Sequence, residues 1–94
     1  SLELVAEGKV PGVPIGMGLV AGTRHLYVSL ASIDPAAGTP PALVVLDADT
    51  LAELVRLDLD DEPGRVAVDD EVGIVYVAVG RQGRILAVQD GAEK

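Results

Sequence analysis

The side chains with the greatest chemical potential in this chain are one histidine, His25, and two serines just after it, Ser29 and Ser32. A hydroxyl becomes a nucleophile only beside a base, and no base is placed to activate either serine. A lone histidine next to a strand start is more often structural or solvated than catalytic. With no cysteine and no second histidine, a zinc site would need one imidazole and several carboxylates, an uncommon set. The acidic groups Asp58, Asp60, Asp61, Glu62 and Asp69, Asp70, Glu71 offer oxygen ligands for Ca2+ but lack the ligand spacing of an EF-hand loop. Solvated turns account for them more simply. The glycines of GVPIGMG, Gly12, Gly16 and Gly18, do not have dinucleotide-fingerprint spacing. The residues therefore predict no catalytic, cofactor-binding or metal site.

Composition narrows the partners. A net charge of −8 leaves no basic patch to release counterions from phosphates, which argues against nucleic acid and against an anionic membrane surface. No apolar run approaches the length of a transmembrane helix, and no basic segment precedes an apolar stretch at the N-terminus, so no targeting signal is expected. The absence of cysteine excludes disulfides without assigning a compartment.

The elements that would position any site come in two copies. ELV at residues 3–5 recurs at 53–55, Pro14 falls against Pro63, LYVSLA (26–31) against VYVAVG (75–80), and ALVVLDA (42–48) against RILAVQD (84–90). Periods of about 40–50 residues holding several short strands indicate propeller blades. Tyr27 and Tyr76, the only aromatic residues, occupy the same place in each copy.

Strands are predicted over residues 2–8, around Met17 to Ala21, and over 25–31. In the last of these Leu26, Val28 and Leu30 alternate with Tyr27, Ser29 and Ala31, so neither face is strongly polar and both are expected to be covered. Val75, Val77 and Val79 oppose Ile74, Tyr76 and Ala78 in the second copy. Further strands are predicted over 42–48, 65–69, 74–80 and 84–90. Residues 50–60 allow two readings: a strand alternating Val55, Leu57 and Leu59 against polar positions, or a helix opened by a Thr50, Glu53 capping box. The strand is favoured because it opens on the repeated ELV; the helix would make an α/β fold.

The LYV and VYV motifs, the aliphatic run into Asp in VVLDADT, and the Pro-Gly at Pro63 and Gly64 resemble the YVTN-type repeats of surface-layer and lactonase-like β-propellers. That resemblance implies an all-β fold of two blades and an extracytoplasmic location. With strands named A to D outward from the ring centre, the order is D-ABCD-ABC: residues 1–10 as the outer strand of a neighbouring blade, 11–60 as blade one, and 61–94 as blade two without its outer strand. An open edge invites strand addition, so the first strand is expected to complete a neighbour's last blade by strand exchange. Propellers close with about four to eight blades, so two blades would leave two apolar faces exposed. The expected partner is the chain itself, as homotrimer or homotetramer, or blades from another chain.

Loops on a rigid scaffold carry recognition. In propellers of the resembled kind the D-to-A and B-to-C loops share a binding face, which implies partner contacts through Ile33, Asp34, Thr39, Asp61, Glu62, Arg81, Gln82 and Arg84. Three functions fit: a non-enzymatic scaffold or binding module that self-assembles into a ring, a fragment of a larger lactonase- or dehydrogenase-like propeller enzyme, or a small α/β interaction domain.

Overall fold

Seven antiparallel strands in two sheets account for all the regular structure in the computed structural model, which describes residues 3–32, 38–80 and 83–90. Strands β1 (Val13–Val20), β2 (His25–Ala31), β3 (Ala42–Asp47) and β4 (Glu53–Asp58) follow one another across a four-stranded sheet. Strands β5 (Pro63–Asp69), β6 (Ile74–Val79) and β7 (Arg84–Gln89) form a three-stranded sheet in the same up-and-down manner. No helix occurs among the described residues.

The two sheets are copies at the level of backbone pairing. Pro14 lies opposite Leu30, Met17 opposite Val28 and Gly18 opposite Tyr27; Pro63 lies opposite Val79, Val66 opposite Val77 and Ala67 opposite Tyr76. The register shifts just after each proline. A bulge there absorbs the proline's missing N–H on an edge strand. Hydrogen bonds from Ala48 N to Arg24 O and from Asp90 N to Gly73 O, both 2.8 Å, close matching turns. Arg24 and Gly73, at φ of 59° and 69°, share the left-handed conformation that turns β1 into β2 and β5 into β6.

The sheets stack with one repeated face between them. Tyr27, Leu43 and Val45 point at the three-stranded sheet and bury against Val75, Val77 and Val79. The opposite face of the four-stranded sheet holds Val28, Leu30, Val44 and Leu46, with Val10 packed on them. Closest approach is along β1 and β5. A Cβ on Gly16 would sit 3.0 Å from Arg65 Cα and 3.1 Å from Val66 N, so only glycine lets these two backbones meet.

Two expectations need correction, and a third, a first strand paired with a neighbour, concerns more than one chain. Residues 3–10 form no strand in the single chain; a strand exists only through its ladder, and this segment finds no sheet edge. The strand expected around Met17 begins at Val13, because the bulge accommodates Pro14. The expected exposure of two apolar faces holds for only one of them. On the four-stranded sheet Val28, Leu30, Val44 and Leu46 are already buried, leaving Met17 and Leu19 open, whereas the three-stranded sheet leaves Tyr76 and Ile85 exposed. Residues 50–60 contain β4 and not a helix. The Asp47 carboxylate accepts the N–H groups of Asp49 (2.8 Å) and Thr50 (3.0 Å), and Leu51 turns left-handed at φ 65°. These contacts fold the chain back where a helix would have started.

Candidate functional site

The densest polar cluster joins the two sheets at the end carrying the turns from β1 to β2 and after β7. Its centre is Asp90, whose side chain is only 2% exposed. One carboxylate oxygen accepts from Tyr27 Oη at 2.5 Å and from His25 Nδ1 at 2.7 Å. The other accepts from Thr23 Oγ1 at 2.7 Å. Thr23, His25 and Tyr27 reach it because the β1–β2 turn and the alternation of β2 send all three toward the neighbouring sheet. Burial pushes the Asp90 carboxyl up, but the hydrogen bonds from Tyr27, His25 and Thr23 outweigh it and hold the group below the usual carboxylate range. Beside it, Ala21 N donates to Asp70 Oδ1 at 2.9 Å, a second tie between the sheets.

An aspartate orienting a histidine through Nδ1 is half of a nucleophile-activating constellation. The other half is missing among the described residues. Ser29 is fully buried, and its hydroxyl donates to Gly64 O at 2.7 Å while accepting from Gly16 N at 3.0 Å. It pins β1, β2 and β5 together and faces no substrate. A Ser29→Ala variant strands the part-buried Gly64 carbonyl and Gly16 N–H, and is expected to lower stability by about 1–3 kcal/mol, read as a shift of the urea midpoint. No group of three or more metal-ligating side chains converges among the described residues.

The loop residues expected to contact a partner gather at the opposite end. Glu62 Oε1 accepts from Ser32 N at 2.9 Å, and Thr39 O accepts from Ser32 Oγ at 2.5 Å. Asp61 Oδ1 accepts from Glu62 N at 2.8 Å, and Arg84 pairs with Asp60 at 3.1 Å. Hydrogen bonding to Arg84 holds the exposed Asp60 carboxyl below its ordinary range. Thr39, Glu62, Asp61 and Arg84 thus share an end of the molecule, each engaged by its own chain. Ile33, Asp34, Arg81 and Gln82 lie outside the described residues.

Sequence reasoning singled out His25 and Tyr27 separately and passed over Thr23 and Asp90. The available signal was that Asp90 closes the aliphatic run of β7 while Tyr27 is one of two aromatic residues. The chain matches no family model, no curated protein and no solved structure.

Proposed function

We propose that the chain is a non-enzymatic β-propeller scaffold: two blades that assemble with further copies into a closed ring and present loops for binding. One observation carries this reading. Tyr27 faces the three-stranded sheet, whereas its counterpart Tyr76 faces away from it and stays 38% exposed. In a two-sheet sandwich related by a two-fold axis, matching faces would meet. Here the packing is head to tail, and the same contact repeated between copies, from Tyr76 and Ile85 of one to Met17 and Leu19 of the next, closes a ring or runs on as a fibre.

The wedge of the two sheets favours the ring. β1 and β5 touch through glycine, while Leu54, Val55 and Leu57 of β4 remain exposed, as expected where blades splay away from an axis. The outward face of the three-stranded sheet carries a hollow of about 310 Å3 lined by Arg65, Ala67, Tyr76, Ala78 and Ile85. Arg65 and Ala67 there take the places of Gly16 and Gly18, so contacts between chains are wider at the inner strands than the contact within a chain. Catalysis has no part in this reading, since the His25–Asp90 pair and Ser29 spend their hydrogen bonds joining sheets.

Light scattering tests it. Particles of three or four 9.6 kDa protomers are expected. A well-folded monomer in dilute solution would sink the proposal, and open-ended aggregation would point to missing blades supplied by another polypeptide.

A further inference from the structure

We infer that residues 3–8 of one copy supply the outer strand of a second copy's three-stranded sheet, pairing antiparallel with the open edge of β7 so that Val5 lies opposite Ala87. The inference rests on the ring reading above and gives the strand exchange expected from the sequence its pairing and its register.

Among the described residues β7 pairs only with β6. Its counterpart β3 is covered on the corresponding side by β4, where Val55 lies opposite Val45. Val45 and Ala87 are equivalent, because each sits opposite its sheet's tyrosine, Tyr27 and Tyr76. β4 opens on Glu53, Leu54 and Val55, the same triplet as Glu3, Leu4 and Val5. Transferring the β4 pairing therefore sets Val5 against Ala87. The segment has apolar side chains to bury, with Leu4 80% and Val5 91% exposed in the single chain.

The path of the chain favours pairing between copies. Val10 lies on the face of Val28, Leu30, Val44 and Leu46, the side turned away from the three-stranded sheet. Gly8 lies against Leu51 in the turn between β3 and β4, so the segment enters from the side of the four-stranded sheet that its own β7 does not share. Leu59, which leads from β4 into β5, is buried in the contact between sheets with Val77 and Val79. Val10 leads into β1 and lies against Val28 and Leu30, the counterparts of those two valines. The N-terminal connection thus meets this face at the place equivalent to the one Leu59 takes on the three-stranded sheet.

Charge opposes one of the two neighbouring registers, and the alternation of faces along the strand opposes the other. With Val5 opposite Ala87, Gly8 meets Arg84 and Glu7 stands next to it. A slip of one residue sets Lys9 against Arg84, two like charges directly opposed.

The cysteine-free chain makes the test clean. Val5→Cys and Ala87→Cys variants are mixed in equal amounts and oxidised, since directly opposed residues lie within disulfide reach. The mixed disulfide is expected at least about tenfold over either symmetric one, because pairing raises the effective concentration of the two thiols. Rings of normal mass with no such excess, or with a greater excess when Ala6→Cys replaces Val5→Cys, would overturn the strand and its register while leaving the ring intact. An intramolecular disulfide in a monomeric double variant would overturn exchange between copies. A monomeric wild type would show instead that the ring reading had failed, and this inference with it.

Discussion

An Asp90→Ala variant is expected to lose about 2–3 kcal/mol of stability, because it leaves Tyr27, His25 and Thr23 without their shared charged acceptor in a part-buried network. The carboxylate takes hydrogen bonds from Tyr27, His25 and Thr23, and alanine removes all three bonds at once. Hydrogen bonds to a charged group contribute about 1.5–3 kcal/mol each, and within one network they do not add. An Asp90→Asn variant keeps the shape and one acceptor oxygen and should lose less. Acid gives an independent reading. The Asp90 carboxyl is held low in the folded chain, so its contribution is complete above the ordinary value of about 3.9 and disappears as pH falls through the lower folded value. The stability difference between wild type and Asp90→Asn should be constant near neutrality and shrink in acid below about pH 4. Asp47 and Asp60 are also held low, so the difference curve, and not the wild-type curve alone, isolates Asp90. Urea midpoints at one fixed protomer concentration provide it, since assembly makes stability concentration-dependent. A difference that ignores pH would contradict the assigned network.

A Gly16→Val variant is expected to be destabilised by about 3 kcal/mol, at the upper end of overpacking costs. The atoms facing the new Cβ are the backbone of Arg65 and Val66, at 3.0 and 3.1 Å, and backbone cannot rotate aside. Relief requires β1 and β5 to separate, which also stretches the Ser29 bridge from Gly16 to Gly64. Gly18 offers a graded comparison. Its Cβ would come within 2.6 Å of Val68 Cγ2, a side-chain methyl that can turn, so Gly18→Ala should cost less than Gly16→Val. The urea midpoints of the two variants decide it; equal losses would mean that the inner strands are not held at backbone contact.

The strands were legible because their signal is local. Alternation in HLYVSLA and IVYVAV divides each strand into two apolar faces, and the structure buries Tyr27 and Ser29 on one face and Val28 and Leu30 on the other. Residues 50–60 carried helix and strand signals of similar weight; the Asp47 carboxylate on the following N–H groups decided between them. For residues 3–8 the local pattern predicted a strand, yet a strand also requires an edge to pair with, and the segment pairs with none in the single chain. The Asp90 cluster was invisible for another reason: its partners lie more than 60 residues away, and no periodicity connects a turn to a residue that far off.

By itself the sequence determined the repeat, the positions of β2 to β7 and the apolar character of both faces of the strands at each sheet's centre, since all of these follow from side chains a few residues apart along an extended backbone. Only the tertiary structure decided which face of each sheet meets the other, that Gly16 lets β1 and β5 touch, and that one aspartate gathers three hydroxyl and imidazole donors between the sheets. Those outcomes depend on how two separately formed sheets approach, and that approach is governed by backbone contact distances and the burial of one carboxylate, quantities with no counterpart in the order of residues along the chain.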